Sequence, residues 1–391
     1  VAKPPDNLST KLLDEVNSYL IDLFRFSSTL NRDVQAELDD LESKLLNMID
    51  RTVRTAKLNP AQLASLLNQS RELISNAYDR INITATDDLK DVVLITSNQI
   101  ANEIEKHLVA PLIEVSLGPS DATEIINNML IEGSFPAEWW ATQDVSLAAR
   151  FMREMRMGMG QGETVDELAQ RVSGTASADY TDGIMDLSSS QAEALVRTSV
   201  VSAANATRLA TFADNADVLD AIQWVSVLDN RTTLICMALD GLMWELPDSG
   251  KSNDFGSYKP IGHNKDFPGP TAHFNCRSTQ IPVVTEHAQL DDQAQQDFED
   301  RFMAAMEERG LSPEAAQTEF DRVRATMDGE GADAVSFDQW LNGKSNAFQN
   351  DLLGQGIADL WRAGKISLTD LTKQDNRPLT LEELQQKVKR G

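Results

Sequence analysis

Between Val34 and Thr52 the residues Val34, Leu38, Leu41, Leu45 and Met48 recur at alternating spacings of four and three. That rhythm lays a narrow apolar seam along one face of a helix, and such a helix must pack against another to keep the seam dry. Asn59-Pro60 supplies a cap and a first-turn proline for the next helix, whose Leu63, Leu67, Ile74, Ala77, Tyr78 and Ile81 again share a face. The spacing predicts two antiparallel helices, then a further apolar segment from Leu89 to Ile104 ending near Pro111. These seams serve either as a docking face for a partner subunit or as an ordinary bundle core.

With 391 residues the chain exceeds one compact domain, so two or three units are expected. No apolar run approaches the roughly 18 to 20 residues that span a bilayer, and the start lacks the order of a signal peptide, so cytoplasmic synthesis without membrane association is expected. The net charge of −26 opposes nonspecific wrapping of nucleic acid and restricts any DNA contact to a local one. Two cysteines argue against a disulfide framework while allowing one pair or a shared metal.

Residues 111–140 read as a connector with a short helix around Ile125 to Leu130. Trp139-Trp140 opens another helix as core or interface aromatics, since base stacking would want basic neighbours. Arg150, Arg153 and Arg156 make a small basic stripe, either a phosphate contact or a solvated face, before the glycines at 158, 160 and 162. Those glycines follow a helix and lack a GK[ST] ending, which excludes a nucleotide cradle. Thr164-Val-Asp-Glu167 has capping-box spacing, and Ser188-Ser-Ser190 is expected to cap a long helix running through Ala194, Leu195, Val201, Ala204 and Leu209.

From Trp224 to Arg277 the chain gathers both cysteines and one of its four histidines. Ala221 to Leu228 alternates as a strand, Asp240-Gly241 marks a turn, and Leu242 to Trp244 returns as its partner. Residues 286–335 are acidic with helical spacing at Phe298, Phe302 and Met306, either a surface for a basic partner or a solvated arm. Residues 336–391 regain aromatic and apolar spacing, and Thr380-Leu-Glu-Glu383 caps a final helix with a basic end.

Taken in order, these residues carry a resemblance: Arg197-Thr198, Asn205 and Arg208 on a helix, Trp224 on a strand, Asp229-Asn-Arg231-Thr232, Cys236, Asp240-Gly241, then Pro270 and His273-x-x-Cys276-Arg277 before Pro282. The series resembles the phage head-morphogenesis family, the minor capsid proteins similar to the F protein of Mu-type tailed phages. It covers about residues 140 to 285 well. Phe337-Asp-Gln-Trp340, Leu360-Trp361, Gly364-Lys365-Ile366 and Pro378-Leu-Thr-Leu381 extend it more loosely over 335 to 385.

The residue patterning, with the resemblance over its central part, predicts a mainly helical α+β protein: a helical region at 1–110, the connector at 111–140, a head-protein-like domain at 141–285 with a β-hairpin or small antiparallel sheet, an acidic helical arm at 286–335, and a helical segment at 336–391. The resemblance implies a virion protein of the phage head, interior or portal-proximal, that binds the portal or inner capsid. Major capsid or scaffolding protein, local contact with packaged DNA, and a part in packaging or ejection are further implications. Its pattern usually places Cys-x-x-Cys before His-x-x-Cys-Arg-Cys, whereas this chain has Thr233 and Ser278 at two of those cysteine positions. Cys236, His273 and Cys276 remain as zinc ligands, with Asp229 or Asp240 as candidates for a fourth; a Cys236–Cys276 disulfide and two free thiols are the alternatives. Arg197, Asn205, Asp229, Arg231 and Arg277 are expected to pin the domain structurally. The resemblance implies no catalysis; the competing reading is a phage-related toxin-type enzyme domain using Cys236 as nucleophile and His273 as base.

Overall fold

The fold comes from a computed structural model, which describes residues 8–53, 60–108, 117–216, 219–247, 251–284 and 336–390, with scattered positions between 296 and 320. The described residues are mainly helical with one small antiparallel sheet, an α+β fold. They divide into two compact units, one comprising 22–92 and 126–200, the other 1–21, 93–125 and 201–391.

Helix α1 (Leu8–Val53) carries the expected seam, with Val34, Leu38, Leu41 and Leu45 all at most 1% exposed. Helix α2 (Pro60–Leu108) begins at the predicted proline and buries Ile74, Ala77 and Ile81 completely. The Leu89 to Ile104 segment is not a separate helix, because no glycine or proline interrupts the chain after Pro60 and α2 simply continues. Pairing is antiparallel. Glu37 meets Arg80 at 2.9 Å, while Lys44, Asn47 and Arg51 further along α1 share a cavity with Gln69, Glu72 and Asn76 further back on α2.

Helix α3 (Pro119–Asn128) starts earlier than the predicted short helix and leads to a turn closed by an Ile131–Ser134 bridge. Helix α4 (Pro136–Gln161) buries Trp140 with its ring 6.5 Å from that of Tyr78, the core role expected of it. Gly158 has a steric reason: a Cβ there would stand 2.4 Å from Glu163 Oε2 and 2.5 Å from Leu168 Cδ2. Gly162 ends α4 in the left-handed conformation (φ 75°), and the Thr164 capping box opens α5 (Val165–Ser173). Arg171 of α5 then grips Glu163 through two 2.6 Å bonds and Glu154 of α4 at 2.7 Å.

The predicted serine cap is corrected. Helix α6 (Ile184–Asp214) begins one turn before Ser188, whose hydroxyl bonds back to the Ile184 carbonyl at 3.1 Å inside the helix. Close packing of Gly183 on Gly174, with room for no Cβ, places the start there instead.

Strands β1 (Leu219–Val225), β2 (Met243–Glu245), β3 (Pro260–Ile261) and β4 (Thr279–Val284) form an antiparallel sheet in the order β3-β2-β1-β4. The predicted β1–β2 pairing is present, with Ile222 opposite Trp244. The connection is not a plain turn, however, since a short helix α7 (Leu234–Leu239) sits between the strands, capped by the Thr233 hydroxyl. Leu209 and Phe212 of α6, Trp224, Cys236, Leu239, Trp244 and Phe267 share one core, joined by Phe302 and Met306 of the acidic arm. Phe298 and most of residues 286–335 lie outside the described residues.

Helices α8 (Phe337–Asn342), α9 (Asn346–Leu353), α10 (Gln355–Arg362) and α11 (Leu381–Arg390) complete this unit. Their core of Phe337, Leu341, Trp361, Leu371 and Leu384 includes Met237 and Ala238 of α7. Helix α7 therefore gives one face to each of two cores.

Candidate metal centre

The cluster is assembled from two short pieces of chain: α7 presents Cys236, and the turn after Pro270 presents His273 and Cys276. The turn closes with a 3.1 Å bond from Cys276 N to the His273 carbonyl and places Asn275 at φ 58°, a left-handed position that asparagine tolerates. Cys236 Sγ lies 3.1 Å from His273 Nε2 and 3.8 Å from Cys276 Sγ. All three ligand atoms fall within 4.8 Å of one another, the one such group found among the described residues.

The imidazole orientation is fixed from behind. Nδ1 lies 2.7 Å from the Phe274 carbonyl and donates to it, which leaves Nε2 with a free lone pair facing Cys236. Thr233 Oγ1 stands 2.8 Å from the same Nε2 while also accepting from Cys236 N at 3.4 Å. The hydrogen bond between the two thiols, outweighing burial, holds Cys276 below its ordinary range, and the same bond together with burial pushes Cys236 well above it.

These residues supply three donors of the kind a soft metal takes, one fewer than a closed structural zinc site uses. In tetrahedral zinc with Zn–S bonds of about 2.3 Å, neighbouring sulfurs stand about 3.8 Å apart, the separation found here. Asp229 and Asp240 do not join the cluster. Asp229 is held by Arg277 through two 2.6 Å bonds and by the Arg231 backbone N–H at 2.9 Å, so its carboxyl lies far below the usual range. Asp240 accepts from Ser226 N at 2.8 Å and from Phe337 N at 2.7 Å, and burial raises its pKa to about 6. Thr233 and Ser278, at the positions where the resemblance expects cysteines, both lie at the site: Thr233 bonds His273, and the Ser278 hydroxyl bonds that of Ser226, which in turn donates to the Cys236 carbonyl.

A polar frame holds the turn in place. Asn205 of α6 donates to the Pro270 carbonyl at 2.7 Å and the Ser278 carbonyl at 2.9 Å, and accepts from Thr279 Oγ1 at 2.7 Å. Arg208, one turn on, donates to the Gln280 carbonyl at 3.1 Å and lies over the Phe212 ring. Arg231 contributes its backbone while its side chain is exposed, and Arg197 is an exposed residue paired with Glu193 on its own helix. One contributor escaped sequence reasoning. Lys265 lacks any motif, yet its buried ammonium is bound by the Thr372 hydroxyl at 2.9 Å and the Lys373 carbonyl at 3.2 Å.

Residues 149–281 match the family model described as Phage Mu protein F like protein. The match runs from α4 into β4 and includes every residue of the cluster and its frame, while the looser likeness at 335 to 385 lies outside it. No curated protein and no solved structure matches the chain.

Proposed function

Taking residues 149–281 as a domain of the Mu F-like phage head-morphogenesis family, we propose that this chain is a minor capsid protein of a tailed phage that binds the portal or inner capsid during head assembly. The observation that carries this reading is the family match over the segment containing the Cys–His cluster and its polar frame. Residence in the virion, interior or portal-proximal, follows from the same reading, as does a role in packaging or ejecting DNA. With a net charge of −26, protein surfaces are better partners than the nucleic acid itself. Coexpression of the full chain with the portal protein of its phage tests the proposal: a complex on size exclusion and incorporation into purified heads are expected. A chain that elutes alone and is absent from heads overturns it.

Within this function the Cys–His cluster is a structural cross-link. Zinc would be held by Cys236, His273 and Cys276, joining α7 to the turn that leads into β4; such a metal supplies folding energy. Elemental analysis with thiol titration is expected to give about one zinc per chain and thiols that become reactive only after chelation. Metal-free protein with two titratable thiols overturns the cross-link and leaves the head-protein reading intact.

The geometry favours this over a toxin-type Cys–His enzyme. Cys236 and Cys276 are 2% and 1% exposed, whereas a nucleophilic thiolate must meet its substrate. Asp229, the nearby carboxylate that such an enzyme would need to orient the histidine, is committed to Arg277.

A further inference from the structure

Three donors leave a tetrahedral metal one short, and the way α7 begins places a fourth beside them. Thr233 is the N-cap of that helix, and a threonine there turns its hydroxyl toward the backbone N–H three positions on. Three positions on stands Cys236, so the cap carries an oxygen to the cluster. Thr233 Oγ1 accepts from Cys236 N at 3.4 Å and lies 2.8 Å from His273 Nε2.

The lone pairs of that oxygen follow from its neighbours. His273 Nδ1 donates to the Phe274 carbonyl, so Nε2 offers only a lone pair and the Thr233 hydroxyl is the donor between them. One oxygen lone pair meets Cys236 N–H, and the second is left for the cluster. Once Nε2 gives its lone pair to a metal, the hydroxyl has no nitrogen to donate to and its oxygen stands beside the same metal. Other oxygens nearby are engaged elsewhere. Ser278 Oγ bonds Ser226 Oγ at 3.4 Å, Asp229 is held by Arg277, and Asp240 binds the Ser226 and Phe337 N–H groups. Burial of both cysteines keeps bulk water from the sulfurs.

Building on the zinc cross-link, we propose that the Thr233 hydroxyl oxygen is the fourth donor of this metal centre, completing a set of two sulfurs, one nitrogen and one oxygen. A neutral hydroxyl holds zinc less firmly than a thiolate does. This centre therefore binds its metal more weakly than the same centre with cysteine at position 233.

The full chain is stripped by chelation, and its zinc affinity is measured by competition with a chromophoric chelator. Thr233→Ser is expected to bind zinc within about threefold of wild type, Thr233→Val at least about tenfold more weakly, and Thr233→Cys at least about tenfold more tightly. Valine also removes the cap of α7, so Thr233→Gly, nearly as good a cap, supplies a second loss of the hydroxyl. With Co²⁺ in place of zinc, azide is expected to leave the absorption of wild type unchanged. It is expected to shift that of Thr233→Gly, where the small residue lets an outside ligand reach the metal. Zinc binding by Thr233→Val equal to wild type, no gain from Thr233→Cys, or an azide shift in wild-type cobalt protein each overturns the hydroxyl donor and leaves the three-residue cross-link intact. A wild-type chain that takes up neither metal overturns both.

Discussion

The α1–α2 hairpin and the α6–sheet domain use opposite means to hold long-range contacts. In the hairpin, buried Val34, Leu38, Leu41 and Leu45 form the seam, while charged residues such as Lys44 and Asp40 pair one turn apart at the surface. In the sheet domain the polar side chains are inside: Asn205 bridges 65 to 74 positions of sequence, and Asp229 meets Arg277 across 48. Apolar packing tolerates repacking, whereas a buried hydrogen bond admits one partner in one geometry. The hairpin is therefore specified by a pattern, and the sheet domain by particular residues.

The strongest challenge to that contrast is Asn205→Ala, which leaves two carbonyls and a threonine hydroxyl without their partner. A loss of roughly 3 kcal/mol or more is expected, read as faster amide exchange in β1 and β4 with the hairpin amides unchanged. A hairpin equally affected would break the comparison. Leu41→Ala, the matching change in the seam, is expected to cost about 2 to 4 kcal/mol, read by exchange confined to α1 and α2, and Leu41→Met under about 1.5. Asn205→Asp, equally close in size, should by contrast be nearly as harmful as alanine, because a carboxylate cannot donate to the Pro270 and Ser278 carbonyls.

Smaller effects come from the two aspartates, and they run in opposite directions with pH. The folded state depresses the Asp229 pKa, so its pairing stabilises fully above the unfolded value near 3.8 and is lost as acid drives it toward its folded value. Asp229→Asn is expected to cost about 1 to 2 kcal/mol at pH 7, the gap to wild type closing only below about pH 4 in thermal melts. Folding instead raises Asp240 from 3.8 to about 6, so the fold prefers it protonated and wild type gains stability as pH falls through 6 toward 4. Asp240→Asn should lack that gain; parallel pH profiles for the two chains would show that the carboxylate is not buried as described. The least effect is expected from Lys44→Ala, under about 0.5 kcal/mol, since its ion pair is half exposed.

The same contrast explains what the sequence disclosed. Periodicity located the second half of α1 and the first half of α2, but not that α1 already starts at Leu8 or that nothing breaks α2 before Leu108. Strands β1 and β2 were legible from alternation and the Asp240-Gly241 turn. Helix α7 was not: six residues cannot display a helical period, and Ile235 between strand-like neighbours hides it. For the site, residue types and order pointed to Cys236, His273 and Cys276, and to Asn205, Asp229 and Arg277 as pins. Spacing could not show that Asp229 belongs to an arginine, that Asp240 binds the start of α8, or that Lys265 reaches past one hundred residues to Thr372. Those are tertiary partnerships, and no local rule encodes them.

Because α7 belongs to two cores, it has no side on which a truncation could end harmlessly. The family match stops at residue 281, which invites cloning of a minimal domain ending just past β4. Such a fragment would strip Phe337, Leu341 and Leu371 from Met237 and Ala238, and turn an interior seam into a sticky outer wall on the very helix that carries Cys236. The homology boundary is thus a poor guide for the scissors: an expression fragment of this domain should extend through Arg390.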